Sequence, residues 1–167
     1  MMAISLTPAE SRLRDYLIAL AAGADPADPA ANTMRYSDIA DAVDQDGSLA
    51  WNRPHANRLI TALWHVNQYE VQRGRPMVGA FSVTRTRSSI KGFANAGRDL
   101  DQLDGSDDAD NEPFWREQLK RSAEYWAARW NAGAADAAQP GLSDTQYDAI
   151  MAELATLKRM VRALAHS

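Results

Sequence analysis

At 167 residues and 46% hydrophobic, the chain is long enough to bury one core and too short for two comfortable domains. It has no cysteine, which excludes disulfides, thiolate metal sites and cysteine nucleophiles, and a formal net charge of -4 argues against a nonspecific coat on nucleic acid. No apolar run approaches the length of about eighteen residues that a membrane span needs, and the first residues lack the basic-then-apolar order of a leader, so a cytoplasmic chain with no membrane partner is expected.

Thr7, Pro8 and Glu10 give the first helix a capping box with proline at its first position. Leu13, Tyr16, Leu17 and Leu20 form its inner stripe, and it should stop near Gly23. The proline- and aspartate-rich stretch that follows reads as an exposed connection. A short second helix is expected from Ser37, capped by that hydroxyl, with Ile39, Ala42 and Val43 inward and an end before Gly47. Pro54 suits the first turn of a third helix running to about Gln72, with Leu59, Leu63 and Val66 on one side and Ile60 and Trp64 beside them.

Met77 to Val83 is short and rich in strand-favouring residues, Arg85 to Ser89 reads as a turn, and Ile90 to Phe93 as a return strand. The acidic stretch onward to Glu112 reads as a loop. Pro113 opens another helix, in which Trp115, Leu119, Trp126 and Trp130 recur at core spacing. Residues 132–142 look like a linker. Ser143 and Gln146 then cap a last helix whose Tyr147, Ile150, Leu154, Leu157, Val161 and Leu164 repeat by threes and fours, the spacing of a coiled-coil seam and of a homo-oligomer. Docking of that seam on the parent domain is the other reading.

Three helices followed by a β-hairpin make a mainly α, winged helix-turn-helix-like domain over 1–131, with the oligomerisation helix at 143–167. Charge supports a binding role. Between Arg53 and Lys91 lie seven bases, including Arg73 and Arg75, against the single acid Glu70, a net of +6 in an acidic chain. On the third helix Arg58, Thr61, His65, Gln68 and Gln72 form a polar stripe that either reads base edges in double-stranded DNA or is an ordinary solvated face. Arg85, Arg87 and Lys91 sit where a wing would meet phosphates, or where charge would guard a sheet edge.

The phrase Arg35-Tyr36-Ser37-Asp38-Ile39-Ala40-Asp41-Ala42-Val43 resembles the opening helix of the winged helix-turn-helix module in alkyltransferase-like DNA repair proteins, a resemblance that spans at most Tyr36 to Val83. It implies the fold and DNA binding. That family's alkyltransferases carry Pro-Cys-His-Arg after the third helix, whereas this chain has Arg75-Pro76-Met77-Val78 there and no cysteine, so alkyl transfer is excluded.

Catalytic and metal motifs are not found. His55, His65 and His166 lack a carboxylate cluster at ligand spacing, and the run Asp104, Asp107, Asp108, Asp110, Glu112 misses the bend glycine of a calcium loop. The expectation is a non-catalytic binder of DNA with no cofactor and no metal. A protein-binding adaptor, an accessory or inhibitor protein, or a subunit of a larger assembly is the alternative.

Overall fold

The computed structural model describes residues 3–51 and 56–135, together with 156, 157, 159–161, 163 and 164. Among the described residues the elements run in the order α1 (Pro8–Ala22), β1 (Met34–Arg35), α2 (Tyr36–Val43), α3 (Ala56–Gln72), β2 (Ser82–Val83), α4 (Ser89–Asp99) and α5 (Asn111–Ala135), the two strands forming one small sheet. Short 3-10 turns cover Pro29–Asn32, Val78–Phe81 and Asp108–Asp110. No described helix is long and apolar enough to cross a membrane.

The first helix starts as its sequence dictates. Thr7 accepts from the Glu10 N–H at 3.1 Å while the Glu10 carboxylate accepts from the Thr7 N–H at 2.9 Å, so both partners of the box are present. Leu13 and Leu17 are fully buried on the face that α1 turns toward α5 and α3. The second helix begins one residue earlier than expected, with Arg35 rather than a serine hydroxyl at its cap, and Ile39, Ala40 and Val43 point inward while Ala42 is exposed. Burial at positions 39, 40 and 43 follows the helical period of this start.

The strand expected over Met77 to Val83 is largely a 3-10 turn. Met77, Val78, Ala80 and Phe81 are all fully buried, and Val78–Phe81 packs among α1, α3 and α5 as the centre of the core. No ladder serves this backbone, so side chains replace one. The Met77 N–H donates to Gln118 at 2.9 Å, the Gly79 N–H to Asn67 at 2.9 Å, and the Trp115 indole N–H donates to the Ala80 carbonyl at 2.8 Å. Gly79 is required by this arrangement, because a Cβ there would fall 2.6 Å from both amide atoms of Asn67.

Only Ser82–Val83 is extended, and it pairs in parallel with β1, Met34 opposite Ser82 and Arg35 opposite Val83. The expected hairpin is therefore not formed. Ile90 to Phe93 lies inside α4, because Phe93, Ala94 and Gly97 are buried at helical spacing; Gly97 lies against Phe114 of α5, whose ring stacks on Phe93 at a centroid distance of 5.6 Å. The loop expected up to Glu112 is thus helical as far as Asp99. On α5, Trp115, Leu119 and Trp126 are buried as expected, but Trp130 is 57% exposed near the end of the helix, beyond the reach of the core.

A buried ionic cluster ties three elements together. Glu70 of α3 has no exposed surface and meets the guanidinium groups of both Arg14 of α1 and Arg75, the latter at 2.7 Å. Tyr69 and Trp126 flank these cations, with ring centroids 5.2 to 5.8 Å from the two guanidinium carbons. Arg75 therefore belongs to the core and not to a basic surface.

Candidate nucleic-acid interface

The polar stripe of α3 does lie along one side of the helix, but the fold's own chain lies against much of it. His65 Nδ1 meets the second carboxylate oxygen of Glu10, Gln72 Oε1 accepts from the Ile4 N–H at 3.0 Å, and Arg58 donates to the Gly47 carbonyl at 2.9 Å. Thr61 is exposed in a cleft of about 340 Å³ that Arg58 and His65 also line, and Gln68 is half-buried. For these side chains to read base edges, their contacts with the segment Ile4 to Glu10 and with the loop before α3 would have to be released. Arg53 lies outside the described residues.

The remaining cations divide cleanly. Arg75 is consumed by Glu70, and Arg73 stacks on Tyr69 at 3.5 Å from its centroid while donating to the Tyr69 carbonyl at the end of α3. Arg85, Arg87 and Lys91 are exposed and take part in no ion pair among the described residues.

The turn that carries them is built from hydroxyls. The Thr84 N–H donates to Ser89 Oγ at 2.9 Å, the Ser89 N–H donates back to Thr84 Oγ1 at 3.1 Å, and Ser88 Oγ lies 3.0 Å from Thr84 Oγ1 and 3.2 Å from Thr86 Oγ1. Arg87 holds a left-handed backbone, φ 59°, and its amide donates to the Thr84 carbonyl at 3.1 Å. Glycine takes that conformation without steric cost and arginine does not. A fixed turn thus holds out two arginines, with Lys91 in the first turn of the helix that follows. Arg35, also exposed, stands on β1 opposite Val83 and adds a cation that spacing within the basic segment did not reveal.

Beside this turn a groove of about 470 Å³ opens between α3 and α4, with Thr84, Ser88 and Ser89 along its edge. Its walls include Tyr36, Trp51, Ile60 and Trp64, and Ile60 is 45% exposed there. Tyr36 and Trp51 meet edge to face at 5.0 Å. Burial raises the Tyr36 phenol above the ordinary tyrosine range, and the hydroxyls of Ser89 and Ser82, which can donate to its oxygen, oppose that rise. Asn67, only 4% exposed, lines the same groove. Its side-chain oxygen accepts from the Gly79 N–H at 2.9 Å. Sequence reading missed this groove because its residues come from separate stretches; the usable signal was Asn67, a polar residue at a core-facing position of α3, four residues after Leu63.

Of the seam, Tyr147, Ile150 and Leu154 lie outside the described residues, while Leu157, Val161 and Leu164 sit on helical backbone at 54%, 64% and 74% exposure. The described residues include no group of three or more metal-ligating side chains. Comparison with protein-family models, curated proteins and solved structures finds no match.

Proposed function

We propose that this protein is a non-catalytic nucleic-acid-binding module that grips phosphates with Arg85, Arg87 and Lys91. The observation that carries the reading is the fixed Thr84–Ser89 turn, which presents cations without a carboxylate partner among the described residues, in a chain of net charge -4. Arginine forks match phosphate oxygens, and a turn already held by hydrogen bonds loses little freedom on binding. The arginine at φ 59° adds weight, because glycine would sit there at lower cost and would supply no charge. The exposed Leu157, Val161 and Leu164 support a second element of the proposal, pairing of two copies through the last helix.

Replacing both arginines by glutamate, Arg85→Glu with Arg87→Glu, should abolish binding to labelled mixed-sequence DNA at low salt while leaving the helical circular dichroism unchanged. Binding that survives this reversal in a folded protein would remove the turn from the interface.

A further inference from the structure

We infer that the groove beside the turn receives an unstacked base of a single-stranded nucleic acid. This rests on the phosphate-binding reading and names the kind of strand. A groove of about 470 Å³ lies within the range of about 300–1,000 Å³ typical of small-ligand sites, large enough for a planar ring and too confined for a paired, stacked duplex to enter. Its walls hold Tyr36, Trp51 and Trp64, the residue types on which bases stack irrespective of sequence.

Its polar chemistry also points to a ligand. Asn67 lines the groove, and its amide is oriented by the Gly79 N–H, which donates to its oxygen and leaves the NH2 as the amide's donor end. Base carbonyls and ring nitrogens are the acceptors such an amide would meet. The Tyr36 ring meets Trp51 edge to face at 5.0 Å, and Ser89, which lines the groove beside it, is part of the turn that carries the arginines. One short stretch, Thr84 to Gly92, thus borders the groove and bears the cations, so a strand whose phosphates follow the turn has a base within reach of the aromatic walls. Charge complementarity with Arg85, Arg87 and Lys91 selects a polyanion over an apolar peptide helix.

The test measures binding of the full chain to a labelled single strand, to an abasic strand of equal length and charge, and to the matching duplex. The single strand should bind roughly 5-fold to 150-fold more tightly than the abasic strand, the range expected for stacking of one base. It should also bind more tightly than the duplex. Trp64→Ala should erase the preference over the abasic strand and keep the salt dependence. The comparison of strands uses the unaltered protein, so it decides even if that variant fails to fold. Equal, salt-sensitive binding of both strands would overturn the groove assignment and leave the phosphate reading standing. Absence of binding to any of the three would overturn both. Displacement of the strand by polyglutamate of equal charge, or by a mononucleotide at equal concentration, would overturn the assignment in favour of an acidic peptide or a free nucleotide.

Discussion

Glu70→Gln isolates what holds the core's charges. The Glu70 carboxylate is fully buried and faces two guanidinium groups, from Arg14 and Arg75, whose side chains are 11% and 1% exposed. Glutamine keeps the shape and one acceptor but turns an NH2 group toward other donors and leaves two cations without a counter-ion. Breaking a buried pair in this way costs about 3–5 kcal/mol, because the remaining charge stays out of water. Against a typical stability of about 5–15 kcal/mol this is a large fraction, and it corresponds to a fall in Tm of roughly 6–20 °C for a chain of this size. Urea unfolding followed by circular dichroism measures it. Arg75→Met is the control, since it keeps the Glu70–Arg14 pair and fills the space with an apolar chain; its cost should be clearly smaller. A loss below about 1 kcal/mol for Glu70→Gln, or a larger loss for Arg75→Met, would refute the idea that Glu70 is the hub.

Two glycines of α4 should respond in opposite senses. Gly97→Ala places a Cβ 2.5 Å from Cζ of Phe114 and should cost about 1–3 kcal/mol by overpacking, whereas Gly92→Ala meets nothing within 4 Å and should stabilise by about 0.5–1 kcal/mol through helix propensity; thermal melts of both decide. Ser122 on α5 is fully buried and its hydroxyl has no hydrogen-bond partner among the described residues, so Ser122→Ala should leave stability unchanged or raise it by about 1 kcal/mol in the same melts. Tyr36 should be the last of the groove's groups to lose a proton: an unfolded tyrosine ionises in its ordinary range while the folded one keeps its proton, so stability falls as pH rises above that range. Phenolate absorbance should show a late-titrating tyrosine that Tyr36→Phe removes.

Local chemistry was legible in the sequence where neighbours in the chain also satisfy one another. The Thr7–Glu10 box, the Leu13 and Leu17 stripe, the buried face of α3 and the turn at 85–88 all follow from spacing within a few residues. Met77 to Phe81 was misread because a short apolar run suits a strand or any buried backbone, and the partners that decide, Asn67, Trp115 and Gln118, stand 12 to 41 residues away. Charge counting had the same weakness. Arg75 counts equally with Arg85 in a basic run, yet Glu70 five residues earlier takes it into the core. The stripe from Arg58 to Gln72 is a matter of spacing along α3, and periodicity does not reveal that Ile4 and Glu10 bond to Gln72 and His65 within it. Among the described residues of the basic segment, the cations that donate to no carboxylate or backbone carbonyl are Arg85, Arg87 and Lys91, on the turn and at the start of α4.

The most direct test of phosphate binding is therefore the salt dependence of DNA affinity for the unaltered protein and for Arg85→Ala with Arg87→Ala. Each released phosphate contact contributes about 0.9 to the slope of log affinity against log salt on a duplex, so removing two arginines should flatten that slope by about 2. An unchanged slope in a folded double variant, or no salt-sensitive binding by the unaltered protein, would contradict the account.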